Sequence, residues 1–352
     1  GLFSLSGKAL KRNQAALTAL LRDTLESARF DEFSRLRELI AQLRTESDNH
    51  ITSRGHHLAM GACLSGINAA GALYHRWHGF AALHHLRTLD DRCRQDPEAI
   101  VAFAEQLTHI KNSLLTAPKQ FLVIGEAGQH QSLMSDLTAC WRTSQPPSPQ
   151  EIPLQLPFSQ QQIRQAWLTN TQVNFCAQAY PTVAVEHPHA PTLVVLGDFL
   201  RHGYLHRALR EQGGAYGGGA HYDSDTGAFR FYSYRDPRLA DTLTDFERAL
   251  QWLHHHHHEP QALEEAILSV IARIDRPGSP AGEAINTFFS NLHGRTPIQR
   301  RTFRQQILQV TLADLQQVAA EYLQAERAHV AVLTEQQCLA QAAELNLETQ
   351  WI

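Results

Sequence analysis

The sequence predicts an α+β fold in two related domains, and three observations carry that expectation. Helix-period apolar rows alternate with short apolar runs of strand length along the chain. A segment rich in proline and serine, Thr143 to Gln150, separates two halves. Each half closes in the same way, with a basic residue, a short apolar strand and a polar helix, so that Phe121–Ile124 in the first matches Val330–Leu333 in the second. The expected domains are 1–145 and 171–352, joined by a linker over 146–170.

In chain order, Leu2 to Leu10 has the pattern of a strand, followed by a helix with Leu17, Leu20, Leu21 and Leu25 on one face. A longer helical pattern begins after Asp31 and runs to about Cys63. Further helix follows a Gly/Ala-rich segment, to about Leu115. Phe121–Ile124 is the expected closing strand, and a helix lies around Met134 to Trp141. Beyond the linker, Val173 to Val183 predicts a strand. The run Leu193, Leu196, Phe199, Leu200, Leu205 and Leu209 predicts a helix. Two strands near Ala220 and Phe229 flank a tight Asp/Gly turn. Helices are expected from Arg238 to Leu253 and from Pro260 to Ile274, the latter opened by its proline. Thr311 and Asp314 predict a capping box for a helix carrying Leu315, Val318 and Tyr322, before the last strand at His329–Leu333 and a closing helix.

Composition excludes several classes. The 352 residues carry a formal net charge of -4, with 43% hydrophobic and 19% charged residues, values of an ordinary globular protein. No Lys/Arg run with interleaved aromatics points to nucleic acid, and no apolar stretch approaches bilayer length. Cys63, Cys93, Cys140, Cys176 and Cys338 are odd in number and never in CxxC spacing. They predict small buried or half-buried side chains in a reducing, cytoplasmic location rather than a disulfide frame or a structural zinc site.

The most informative segment is Arg210-Glu-Gln-Gly213-Gly214-Ala-Tyr216-Gly217-Gly218-Gly219. A helix runs into glycines that no helix would keep, so Arg210 and Tyr216 sit where it breaks into exposed backbone. The bland reading makes Arg210 a cation at a helix C-terminus and Tyr216 a packed aromatic. A phosphate cradle is disfavoured because the helix precedes the glycines and no Gly-Lys-Ser/Thr follows. His254–His258 cannot complete a zinc motif and reads as a polar loop; His202 and His206 share a helix face with no carboxylate to complete a triad. Asp223, Asp225, Asp236 and Asp241 fit turn and cap chemistry rather than a calcium loop.

Together, RxxGGAYGGG and the following Tyr222-DSDTGAFRFYSYRDP-Arg238 resemble the C-terminal half of presequence-protease-type zinc metallopeptidases of the pitrilysin/insulinase superfamily. Arg276-PGSPAGE-Ala284, Gly294-RT-Pro297, Gly1-LFSLSGKA-Leu10 and Gly55-HHLA-Met60 extend the resemblance over nearly the whole chain. It implies two related domains, each a mainly antiparallel sheet with helices packed on it, the first short of strands at its N-terminus and so exposing a sheet edge. The inverted zinc motif His-x-x-Glu-His of that superfamily occurs nowhere in this sequence. The resemblance therefore implies a non-catalytic half with no catalytic residue and no metal of its own, whose partner is an N-terminal half carrying zinc. It also implies that Arg210, Tyr216, Gly213, Gly214 and Gly217 contact unfolded peptide substrates along the wall of an enclosed chamber. A stand-alone binding or assembly subunit of the same fold is the alternative.

Overall fold

A computed structural model describes residues 2–141 and 155–352; most of the proline-rich segment, and residues 146–154 of the expected linker, lie outside them. The first half contributes α1 (Gln14–Glu26), α2 (Phe33–Leu64), α3 (Ala69–His78), α4 (Phe80–Gln95), α5 (Pro97–Thr116) and α6 (His130–Cys140). The second opens with β1 (Arg164–Leu168), β2 (Phe175–Pro181) and α7 (Ala190–Leu200), which passes into a π-helical segment over Arg201–Gln212. There follow β3 (Gly217–Asp223), β4 (Ala228–Tyr234), α8 (Ala240–His255), α9 (Pro260–Ile274), α10 (Pro280–Leu292), α11 (Pro297–Ile307), α12 (Leu312–Tyr322), β5 (His329–Thr334), α13 (Leu339–Glu344) and β6 (Glu348–Trp351).

Two compact units result, and neither is contiguous in sequence. One comprises Gly1–Leu43, Thr88–Leu154 and Gly278–Arg295; the other comprises Arg44–Arg87, Gln155–Pro277 and Thr296–Ile352. In the first, α1 is tied to α6 by the Gln14 side-chain amide, which donates to Ser132 Oγ at 2.5 Å and Asp136 Oδ2 at 2.7 Å. Lys111 Nζ donates to the Ala28 carbonyl at 2.9 Å. The sheet expected in this region is not found: among the described residues the unit contains no strand. Leu2–Leu10 and Phe121–Ile124 carry the right alternation but have no strand beside them to complete a ladder, and Leu2, Phe3 and Leu10 stay more than half exposed.

The second unit is built on a six-stranded sheet in the order β3-β4-β2-β5-β1-β6. The β3–β4, β4–β2 and β2–β5 pairs are antiparallel, whereas β1 runs parallel to both β5 and β6. β1 falls inside the stretch read as linker. Side chains alternate between two faces, as a pleated strand requires. Cys176, Tyr180, Phe229, Phe231, Val330 and Val332 join a core with α7, α8, α9 and α12. Phe175, Ala177, Ala179, Ala331 and Leu333 pack instead with Leu58, Cys63, Leu64 and Phe80 from the 44–87 segment. Gly55 lets α2 ride this close: a Cβ there would stand 2.5 Å from the Phe175 ring. Burial on both faces explains why β5 is apolar throughout rather than alternating. The α+β class is thus observed, and the expected hairpin, capping box and helices of the second half form where the sequence puts them.

Candidate functional site

The glycine-rich segment leaves the π-helical run and enters the edge strand β3. The run is anchored by Leu205, Ala208 and Leu209, all buried. Its C-terminal turn is clamped by Arg238, whose Nη2 donates to the Ala208 carbonyl at 3.3 Å and lies 3.0 Å from Asp245 Oδ2. Gly213 is required by that clamp, because an added Cβ would fall 1.9 Å from the Arg238 guanidinium and 2.6 Å from the Leu209 carbonyl oxygen. Gly214 takes φ +80°, a conformation in which side chains are strained. Gly217 has nothing within 4 Å of a would-be Cβ, so its backbone borders open space.

The helix end and the hairpin bring four side chains together. Arg210 Cζ lies 5.9 Å from the centroid of the Tyr216 ring, within cation–π range. Tyr216 is 64% exposed, which excludes its reading as a packed aromatic. Its ring meets Tyr234 edge-on at 5.6 Å, and Arg235 Cζ lies 5.4 Å from the Tyr234 ring. The register of the hairpin, Gly217 opposite Tyr234, makes these neighbours. His56 from α2 touches Tyr234 edge-on at 4.7 Å. Burial, then the charge of neighbouring His57, pushes the pKa of His56 down to about 4, so near neutral pH it adds no charge. No hydrogen bond or ion pair of the Arg210 or Arg235 guanidinium is found among the described residues. Both remain free to bind an incoming acceptor.

Sequence reasoning placed Arg210 and Tyr216 and missed Tyr234, Arg235, His56 and Arg238. Counting back from the Asp/Gly turn would have set Tyr234 opposite Gly217; nothing in the sequence announces the contribution of α2. The remaining candidates separate. His202 Nδ1 faces the Asp198 carbonyl at 3.0 Å and His206 pairs with Glu211 at 3.3 Å. His258 packs on Trp252 at 4.5 Å between ring centroids, and its Nε2 donates to the Leu253 carbonyl. Asp223 and Asp236 serve turn and cap roles. Among the described residues no group of three or more His, Cys, Asp or Glu side chains is placed to hold a metal ion. With no inverted motif in the sequence, the residues present do not fit a catalytic zinc.

Residues 164–335 match the family described as PreP C-terminal domain, and residues 1–89 match the family of domains associated with M16 peptidases of subfamily C. The mitochondrial presequence protease of Yarrowia lipolytica is 31% identical over 327 residues, covering 91% of this chain and 32% of that protein. Its counterpart in Drosophila melanogaster is 28% identical over 350 residues, covering 97% and 32%. The chain thus spans about a third of the length of these relatives. Pitrilysin shares the fold at a TM-score of 0.61 and 13% identity over 97% of this chain and 36% of its own. A protease from Helicobacter pylori does so at 0.60 and 17%, over 92% and 77%. The cytoplasmic location expected from the free cysteines is overturned, because the relatives from Yarrowia lipolytica, Kluyveromyces lactis and Xenopus laevis are all named as mitochondrial. Cysteine spacing points to a thiol-reducing compartment, but it does not single out the cytoplasm. The chain belongs to the presequence-protease-like M16 metallopeptidases and lies within their C-terminal half.

Proposed function

We propose that this chain is the non-catalytic wall of a two-part zinc metalloendopeptidase that degrades unfolded peptides, and that Arg210 and Tyr216 hold the substrate. The observation that carries the reading is the pair itself: an exposed guanidinium and phenol, stacked together and without protein partners, where a rigid helix gives way to glycine-rich backbone. Zinc and a general base belong, in this reading, to the N-terminal half. On this side the task is electrostatic. Peptide hydrolysis builds negative charge on the scissile carbonyl oxygen, and donors held in advance lower that barrier. The Arg210 guanidinium and the Tyr216 hydroxyl would donate to that oxygen or to the adjacent peptide carbonyl. Gly213 and Gly214 shape the turn that presents them, and Gly217 lets substrate backbone approach β3 without a side chain in the way. Completion of the site on association of the halves would keep hydrolysis within a closed chamber.

Mixing tests this. After dialysis against chelator, the chain alone should hold no stoichiometric zinc and cleave no fluorogenic unstructured peptide, whereas adding a polypeptide with the His-x-x-Glu-His half should restore turnover. One tightly held zinc with turnover by the chain alone would overturn the half-enzyme reading. A stable complex of both halves that stays inert would favour the binding or assembly role.

A further inference from the structure

Arg235 ends β4 at φ 50°, in the left-handed region that non-glycine residues seldom occupy. The surroundings impose that conformation from both sides. Before it, Tyr234 is paired with Gly217 in the hairpin ladder. After it, Asp236 is fully buried and exchanges backbone hydrogen bonds with Asn174 at 2.6 and 2.8 Å. The Asp236 carboxylate accepts from the Arg238 N–H at 2.9 Å and from the Thr242 hydroxyl at 2.7 Å. The carbonyl of Arg235 itself accepts from the Tyr216 N–H at 3.3 Å, so the strained residue also fixes the backbone of the substrate-site tyrosine. Glycine would adopt this turn freely. The chain carries instead an arginine, exposed and lying over Tyr234, with no carboxylate partner among the described residues. Strain held in place by rigid neighbours at an exposed charged residue is a mark of function rather than packing.

Ring and guanidinium separations of 5.9, 5.6 and 5.4 Å link Arg210, Tyr216, Tyr234 and Arg235 into one surface. They place the two guanidiniums no more than about 17 Å apart, the reach of roughly five residues of extended peptide. Nearby carboxylates are already engaged: Glu211 faces His206 and Asp236 is buried. Resting on the peptide-binding reading above, we propose that Arg235 and Tyr234 form a carboxylate subsite of the same groove. It receives an Asp or Glu side chain, or the C-terminal carboxylate, of a peptide whose backbone is held by Arg210 and Tyr216. The planar fork of arginine suits two-point contact with a carboxylate, and the tyrosine face orients it.

Fluorescence anisotropy with the full chain tests this, using three labelled unstructured 15-residue peptides: one amidated with a central Glu, one amidated with Gln there, and the Gln peptide with a free C-terminus. The wild-type protein should bind one of the carboxylate peptides roughly three- to tenfold more tightly than the neutral one; which of them identifies the source of the carboxylate. Arg235→Gln and Arg235→Gly should both erase that preference and leave affinity for the neutral peptide intact. The glycine variant relieves the strained φ, so its loss could not come from misfolding, and a thermal melt verifies this. Arg210→Ala should weaken all three peptides. A preference that survives both Arg235 substitutions, or an equal loss for every peptide, overturns the subsite while sparing the peptide groove. No binding of any peptide, or binding indifferent to Arg210→Ala, overturns the groove and the subsite together.

Discussion

The two ends of the β3–β4 hairpin use the same kinds of side chain to opposite effect. At the turn end, Arg230 is largely buried; its Nη2 lies 3.0 Å from Asp223 Oδ2 and donates to His221 Nε2 at 2.7 Å. Asp223 in turn accepts from the Asp225 N–H and the Thr226 hydroxyl. Gly227, at φ 58°, closes the turn. Every charge there has a partner, so the cluster is structural. At the open end, Arg210 and Arg235 lie over exposed rings and have no carboxylate partner among the described residues. The contrast teaches that an arginine on this hairpin is read by what answers it: a satisfied guanidinium holds the fold, and an unanswered one waits for a ligand.

Substitutions should split along that line. The largest effect is expected from Arg210→Ala in the reconstituted two-part enzyme, a fall in turnover of roughly ten- to a thousandfold with an unchanged melting temperature. Arg230→Ala should do the reverse. It strands Asp223 and His221 in a half-buried site and should cost about 1–3 kcal/mol of stability in denaturant titration, while the folded fraction keeps its turnover. If Arg230→Ala abolished turnover in the folded fraction, or Arg210→Ala melted the protein, the division between the two ends would fail.

Gly213→Ala comes next. The new Cβ meets a guanidinium and a backbone carbonyl at once, so the clamp of Arg238 on the helix end must open, at a cost of about 1–3 kcal/mol. Gly217→Ala, by contrast, meets nothing and should leave the melting temperature nearly unmoved.

Much of this unit could be read from the residues, for reasons that are local. The Asp/Gly turn, the Thr311–Asp314 box and the stripes of α8 and α9 are short-range signals, and each formed as expected. What escaped depends on partners distant in sequence. β1 and β6 are brief, mixed-polarity segments that become strands only by pairing with β5 and with each other. Leu2–Leu10 and Phe121–Ile124 have strand patterns yet lack a neighbouring strand. Residues 44–87 read as part of a helical first domain, and their burial against Phe175 and Leu333 follows from a packing choice that periodicity does not encode. The site was half legible for the same reason: Arg210 and Tyr216 adjoin the glycines, while Tyr234 and Arg235 arrive through hairpin register.

Acid should weaken the turn end before the open end. Burial, followed by the charge of Arg230, lowers the pKa of His221 to about 4, against about 6.5 when unfolded. The folded ring is therefore neutral across a range in which the unfolded ring takes up a proton. Its contribution to stability is complete above about pH 6.5 and is lost progressively as pH falls towards 4, by about 1–3 kcal/mol. His221→Gln should flatten that part of the stability–pH curve; an unchanged slope would show that His221 is not responsible. The smallest effect belongs to Arg235→Gly, where relief of the left-handed strain and the greater freedom of the unfolded chain nearly cancel, leaving a change within about 0.5 kcal/mol.

Tyr216→Phe offers the most direct test of the substrate-contact role. It removes one hydroxyl from an exposed ring and preserves the ring contacts with Arg210 and Tyr234. In the reconstituted enzyme, kcat/KM for an unstructured peptide should fall at least tenfold with no change in melting temperature; turnover equal to wild type would contradict the assignment of this hairpin end as the substrate-holding wall.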